Sequence, residues 1–321
     1  MPETLPGLHH MTALCGDAQR NVDFYVGVLG LRLVKKTVNF DDPGTYHLYY
    51  GDGAGTPGTL LTFFAWPHAQ RGRHGLGQVT ATALTVPTTA LPFWQKRLAD
   101  NNVAVGDVTT RFGQQTLSFE DPDGLVLELV ARSGTASETI SLWNASTVPA
   151  EYAIRGMDGV TLTVAKREPT EAMLTTLGFT LVGEEQGRVR YTASSGEGNT
   201  LADILVNPEA PRGSLGVGVV HHVAWRTPSD ETELAWRKSL LAQGRSVSPV
   251  MDRDYFHSIY FTEPGGVLFE IATNPPGFTV DEPLESLGTH LCLPQGLEES
   301  RALLLQALPA LHLPVEIAKA P

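Results

Sequence analysis

Val220-His221-His222-Val223-Ala224-Trp225 repeats, far downstream, the pattern of Leu8-His9-His10-Met11-Thr12-Ala13. Each run reads as an apolar strand broken by a histidine doublet, and each leads into a polar turn carrying Asp17 or Asp230. A helical segment follows in both places. One runs from Ala18 to Leu29 and is stopped by Gly30; the other runs from Glu231 to Gln243 and is stopped by Gly244. A second echo links the strands that close these units. Asp121-Pro122-Asp123-Gly124-Leu125-Val126-Leu127-Glu128-Leu129 matches Glu263-Pro264-Gly265-Gly266-Val267-Leu268-Phe269-Glu270-Ile271, with one glutamate in the same register of an apolar strand. Weaker copies stand at Thr56 to Phe63 and Leu201 to Val206.

Four units of strand, helix and about three strands follow, near residues 6–66, 78–132, 155–207 and 217–273. The fold class is therefore α+β, built from four βαβββ modules in two halves. Modules one and two fill 6–132, a proline-rich and polar linker spans 133–150, and modules three and four fill 151–273. In the tail, 274–321, Leu297 to Leu308 is predicted to form an amphipathic helix over an exposed surface.

Composition narrows the function classes. Of 321 residues, 42% are hydrophobic and 18% charged, the balance of a packed globule. A net charge of −12 without a basic stretch argues against nucleic acid or an anionic membrane as partner. No apolar run approaches the roughly 20 residues of a membrane span, and the first residues lack the features of a signal peptide. Cys15 and Cys292 alone make no disulfide framework or metal-ligand spacing, so a reducing cytoplasm is the expectation.

Strand alternation then sorts the candidate ligands. In module four, Val219, His221, Val223 and Trp225 read as the face under the helix, leaving His222 with Ala224 on the cleft face. The strand Val267 to Ala272 places Glu270 on the cleft face as well. Homology between the doublets selects His10 in module one. The slot matching Glu270 there is predicted to be Phe63, the slot matching His222 in module two is Ala81, and module three offers Asp158 and Asp203. Only modules one and four supply His10, His222 and Glu270, so those two should pack together.

Two neutral imidazoles and one carboxylate form the facial triad of non-haem Fe(II), with coordination positions left open. Mn(II) suits the same donors, and zinc would accept them with fewer open positions. An unpaired carboxylate on a buried apolar strand is costly, which favours a ligand role for Glu270. Glu128, with no histidine beside it, is expected to pair with arginine or backbone. A weak cation held by Glu128, Asp158 and Asp203 is the lesser alternative.

With the doublets, the modules and the Pro-Gly-Gly-Val-Leu-Phe-Glu strand in view, the chain resembles the vicinal oxygen chelate superfamily. More narrowly it resembles its hydroquinone ring-cleaving dioxygenases, through Tyr46-His47-Leu48-Tyr49-Tyr50, Gly55-Thr56-Pro57-Gly58-Thr59, Thr110-Arg111-Phe112-Gly113-Gln114 and Ser286-Leu287-Gly288. The resemblance implies a vicinal oxygen chelate fold of paired-module half-barrels. It also implies Fe(II) on His10, His222 and Glu270, acting on a small aromatic substrate and O2. The ring would open between a hydroxylated carbon and its neighbour. The resemblance further implies roles for Tyr260 as a proton or hydrogen-bond donor, for Arg253 in balancing negative charge, and for His9 and Thr12 beside the first ligand. His257 stands where an acidic residue is expected, and Asp158 where relatives carry His. Two other readings compete. One is a glyoxalase-like lyase or isomerase using zinc or nickel, which usually needs a second carboxylate ligand. The other is a metal-free protein that binds an aromatic ligand. Apolar strands in the paired modules could be covered within the chain or by a second copy, a homo-oligomer.

Overall fold

The computed structural model describes residues 2–133, 140–193 and 200–314. Part of the predicted linker, 134–139, and the tail from 315 lie outside the described residues. Module one comprises β1 (Leu8–Cys15), α1 (Ala18–Val22), β2 (Arg32–Asn39), β3 (Asp42–Gly51) and β4 (Leu60–Ala65). Module two comprises β5 (Gln78–Pro87), α2 (Leu91–Asp100), β6 (Thr109–Arg111), β7 (Gln114–Glu120) and β8 (Val126–Arg132). In module three, β9 (Met157–Val164) precedes α3 (Arg167–Thr176), β10 (Thr180–Glu185), β11 (Arg188–Thr192) and β12 (Leu201–Val206). Module four holds β13 (Val220–Thr227), α4 (Asp230–Ala242), β14 (Met251–Asp252), β15 (Phe256–Thr262) and β16 (Leu268–Pro276). Among the described residues no helix is long and apolar enough to cross a membrane.

Two eight-stranded mixed sheets result, as the module pattern leads one to expect. One runs β14-β15-β16-β13-β1-β4-β3-β2 and joins modules four and one; the other runs β10-β11-β12-β9-β5-β8-β7-β6 and joins three and two. In each, the first strands of two modules pair antiparallel at the centre, β1 with β13 and β5 with β9, flanked by the parallel last strands. The connections between modules also meet, through isolated bridges Arg71 to Val217 and Leu76 to Arg212. Gly218 (φ +86°) belongs to this seam. A Cβ there would stand 2.0 Å from the Asp123 carbonyl oxygen, so only glycine fits.

Strand register departs from strict alternation at both doublets. Leu8 pairs with Trp225 and His10 with Ala224, while Thr12 pairs with His222 and Ala13 with Val220. His9 and His221 are thus each an extra residue in the ladder, a β-bulge. Leu8 and Val220 consequently join Met11, Ala13, Val223 and Trp225 in the apolar core under the helices. Strict alternation would put Leu8 and Val220 on the cleft face with His10 and His222; the bulges turn both into the core, whereas His10, Thr12, His222 and Ala224 keep the inner face.

The helices obey their caps, with one difference. Ser229 and Thr232 form a capping box on α4, and Asp17 caps α1. The first helix widens after Val22: Asp23–Val28 follow π geometry, and Leu29 N–H donates to the Phe24 carbonyl at 2.9 Å. Glu233 on α4 is fully buried, and among the described residues neither carboxylate oxygen has a hydrogen-bond partner. Burial, opposed by His257 and reinforced by Asp230 and Glu270, raises its pKa to about 7. The folded carboxyl keeps its proton to higher pH than the unfolded one. Its contribution to stability is therefore complete below about pH 4.5 and is lost as the pH rises toward 7. Glu233→Gln is expected to flatten that slope and to stabilise the protein at pH 8 by roughly 2–3 kcal/mol, read from urea melts across the range.

The tail differs from its prediction. Helix α5 covers only Arg301–Ala307, with Leu303 and Leu305 more than half exposed, and Leu308 is the buried anchor. Leu297 and Leu304 also pack on the core, so the stretch covers a surface as predicted but through a shorter helix, and the segment Phe278–Cys292 adds further cover. Phe278 packs on Tyr49 and Tyr255, and Leu287 joins the same inner apolar cluster.

Candidate metal centre

Register places the candidate ligands on adjacent strands of the inner face. His10 lies opposite Ala224, Ala224 opposite Glu270, and Thr12 opposite His222. The three side chains are buried, and each turns one donor atom to a common point. His10 Nε2 stands 3.3 Å from His222 Nε2 and 3.3 Å from Glu270 Oε2, and His222 Nε2 stands 2.8 Å from Glu270 Oε2. Three ligands at about 2.1 Å from one ion, at right angles, would stand roughly 3.0 Å apart.

Proton accounting makes the same point. His9 Nε2 lies 3.1 Å from the Thr273 carbonyl, which can only accept, so His9 carries its proton there. Its Nδ1 then accepts from His10 Nδ1–H at 3.0 Å, leaving His10 Nε2 as a lone pair. His221 Nδ1 faces His222 Nδ1 at 2.7 Å, and the neutral form with its proton on that contact leaves His222 Nε2 bare as well. Burial foremost, then the neighbouring imidazole, lowers both His9 and His221 to about 3, so they serve as neutral acceptors. Glu270 has its Oε1 bonded by the Ser258 hydroxyl, while Oε2 faces the two imidazoles and, among the described residues, no other donor. Burial alone would raise its pKa; positive charge facing it, a proton on His10 or His222 or a cation bound between them, is what holds it well below the usual range. Two imidazole lone pairs and a carboxylate oxygen thus converge with no proton among them. That donor set fits a divalent cation.

The surrounding residues are arranged as follows. Tyr260 lies opposite Glu270 on β15, its ring edge-on to His222 at 5.7 Å. Burial and Glu270 raise its pKa, so it keeps its proton. Its hydroxyl oxygen accepts from Arg253 Nε at 3.3 Å, and Arg253 also reaches Asp41 at 3.4 Å and stacks over Phe40. His257 is held outside this group, on the rim, by Asp230 at 2.7 Å. Phe256 lies against His9 and His10, and Trp66 stacks on Phe64, which meets His221.

Sequence reasoning missed three members. Ser258 shares its face with Tyr260, and the pairing of β15 with β16 was the signal that could have shown it. Ser258→Ala should loosen Glu270 and weaken metal binding about 10–100-fold without unfolding the chain, measured by chelator competition. Thr62 and His47 are the other two. The pairing Thr12 with Thr62 is the counterpart of Ala224 with Glu270, so Thr62 occupies the slot assigned to Phe63. Phe63 points into the outer core, because the turn at Pro57 and Gly58 sets the strand one residue out of step with the turn at Gly265 and Gly266. With threonine as with phenylalanine, the slot holds no second carboxylate.

The second sheet repeats this geometry without the ligands. Ala83 pairs with Glu128 and Thr161 with Asp203, so the histidine slots fall on Ala81 and Gly159 rather than Asp158. The three carboxylates considered as ligands each meet an arginine instead, as expected for Glu128. Arg111 binds Glu128 at 2.8 and 2.9 Å, Arg190 binds Asp203 at 2.7 and 2.8 Å, and Arg132 binds Asp158. Asp281, Glu282 and Cys292 also gather, yet the ammonium of Lys35 lies among them.

Comparison with known proteins agrees with the fold. The Glyoxalase/Bleomycin resistance protein/Dioxygenase superfamily matches residues 7–129 and 170–271. The chain is 46% identical to MhqO of Bacillus subtilis (strain 168), named a ring-cleaving dioxygenase, over 99% of both proteins. It is 36% identical to the chlorohydroquinone/hydroquinone 1,2-dioxygenase of Sphingobium indicum, over 96% of this chain and 97% of that one. A crystal structure from B. subtilis subsp. subtilis str. 168, described as a dioxygenase, superposes with TM-score 0.91 at 45% identity, covering 97% of this chain and 99% of that one. Maize (Zea mays) glyoxalase I shares the fold at TM-score 0.62 and 15% identity, covering 84% of this chain and 92% of its own. With its repeated modules and inward-facing doublets, this chain belongs to the glyoxalase/bleomycin resistance protein/dioxygenase superfamily.

Proposed function

We propose that the protein is an Fe(II)-dependent dioxygenase that opens the ring of a hydroquinone, with His10, His222 and Glu270 as its metal ligands. The observation that carries this reading is the convergence of three unprotonated donors, with only Thr62 in the slot where a fourth ligand would stand. The name of the S. indicum relative supports the substrate class. Mn(II) suits the same donors, and the missing second carboxylate weighs against zinc or nickel chemistry of the glyoxalase kind.

Bound Fe(II) would supply a meeting place for a hydroxylated ring and dioxygen, with single-electron steps that direct reaction of the two lacks. The chain's own residues do the rest. His9 and His221 hold the ligating rings in the tautomer that points Nε2 inward. Tyr260 keeps its proton beside the centre and can donate it to an oxygen there, while Arg253 fixes that hydroxyl and brings positive charge. Phe256, packed on His10, and Tyr49 beside it put aromatic faces next to the centre, an environment suited to an aromatic ring.

Product analysis tests the reading. The iron-loaded protein should convert methylhydroquinone or chlorohydroquinone into a ring-opened acid heavier by one dioxygen, carrying heavy oxygen from labelled O2. A quinone without label would overturn ring cleavage. Tyr260→Phe should slow turnover about 10²–10⁴-fold with iron content unchanged.

A further inference from the structure

Thr62 is not idle in its slot. Its hydroxyl lies 2.8 Å from Thr12 Oγ1 and 3.0 Å from His47 Nε2, and His47 Nδ1 lies 2.9 Å from the Tyr49 hydroxyl. The four residues sit on three neighbouring strands, β1, β4 and β3, facing the same side as His10. Thr12 and Thr62 are fully buried, and Tyr49 and His47 nearly so. His47 is packed between Tyr49 and Phe64, with ring centroids 4.0 and 4.4 Å away.

The protons of this chain run one way. Among the described residues the Tyr49 hydroxyl has one polar partner, His47 Nδ1, so a buried O–H is satisfied only by donating to it. His47 then bears its proton on Nε2 and donates to Thr62 Oγ1. Thr62 in turn donates to Thr12 Oγ1. The Thr12 proton is left over, on the face shared with His10 and opposite His222.

We infer that His47 is a positioning residue: acting through Thr62, it turns the Thr12 hydroxyl outward as a hydrogen-bond donor to whatever ligand occupies the metal's open side. This deepens the dioxygenase reading, and it gives the fourth slot a role in ligand binding rather than metal binding. A neutral donor there can stabilise negative charge on a bound oxygen without adding a charge to the centre.

A mutant cycle with two readouts tests it. Thr12→Val, Thr62→Val and His47→Phe keep volume and stacking, and His47→Phe/Thr62→Val completes the cycle. One readout is hydroquinone-dependent oxygen uptake by the iron-loaded protein. The other is the azide dissociation constant of the Co(II)-loaded protein, which needs no oxygen chemistry. Metal content is measured for each variant and is expected to match wild type. Each single variant should weaken azide binding about tenfold, and the double variant should be no worse than Thr62→Val alone, because all act through one hydroxyl. kcat/KM should fall in parallel.

Additive effects, an unchanged azide constant, loss of metal from His47→Phe and Thr62→Val alike, or failure of azide to bind the wild type would each overturn the inference. If wild type binds azide with the expected coupling but consumes no oxygen, the positioning role stands and only the ring-cleavage reading falls. If it consumes oxygen and the azide cycle is flat, the reverse holds.

Discussion

Glu270→Gln is expected to abolish metal binding and, at the same time, to make the metal-free protein more stable. In the wild type, Glu270 Oε2 is fully buried and faces two imidazole lone pairs without a donor. An uncompensated buried charge of this kind is destabilising. A glutamine amide is neutral and can donate to those lone pairs, which should stabilise the metal-free chain by about 1–3 kcal/mol. The cost falls on the loaded state. A ligand present at a hundredfold excess over its Kd stabilises by about 2.7 kcal/mol. Wild type should show such a gain in thermal melts on adding Fe(II) anaerobically, and Glu270→Gln should show none. A variant that still binds one metal ion per chain would contradict the proposed ligand set.

The second large effect lies away from the centre, at Lys35. Its ammonium is fully buried on β2 and bonds Asp281 at 2.5 Å and Glu282 at 2.7 Å, with the Tyr255 ring 5.0 Å away. Burial lowers its pKa, but the hydrogen bonds to Asp281 and Glu282 raise it further, so it stays charged. Glu282 in turn accepts from the backbone N–H groups of Gly288 and His290. Lys35 therefore pins the covering segment Phe278–Cys292 to the first sheet. Gly288 (φ +77°) lets that segment come close, since a Cβ there would stand 1.8 Å from the Leu33 carbonyl oxygen. Lys35→Met keeps the volume and strands two carboxylates, a loss of about 3–5 kcal/mol for a buried pair, and nearer the lower figure because Asp281 is partly exposed. Urea unfolding should show it, and Lys35→Met/Glu282→Gln should recover part of it. An unchanged midpoint would mean that the segment is held by Phe278 and Leu287 alone.

Much of this was legible in the residues. Glu270 could be found because β16 is regular: two-residue alternation from Val267 holds throughout, and one carboxylate among apolar neighbours has few benign explanations. His10 and His222 could be found because a repeated doublet fixes homologous positions. The bulges at His9 and His221 were not legible, since a bulge is defined by the partner strand and no local signal marks the extra residue. The same reason hid Thr62. Its place follows from pairing with Thr12, whereas counting from the preceding turn lands on Phe63. The ion pairs of the second sheet were legible only in part. Glu128 was expected to meet an arginine, but that Arg190 would take Asp203 needed the register of β11 against β12.

The central proposal is that the donors of modules one and four hold Fe(II) for oxygen chemistry on a hydroquinone. Its most direct measurement is oxygen consumption by anaerobically Fe(II)-loaded protein given hydroquinone, methylhydroquinone, chlorohydroquinone or catechol, with His222→Ala alongside. The expected result is stoichiometric uptake with a hydroquinone by the wild type and none by the variant. Wild-type protein that demonstrably holds one iron per chain and consumes no oxygen with any of these rings would contradict it.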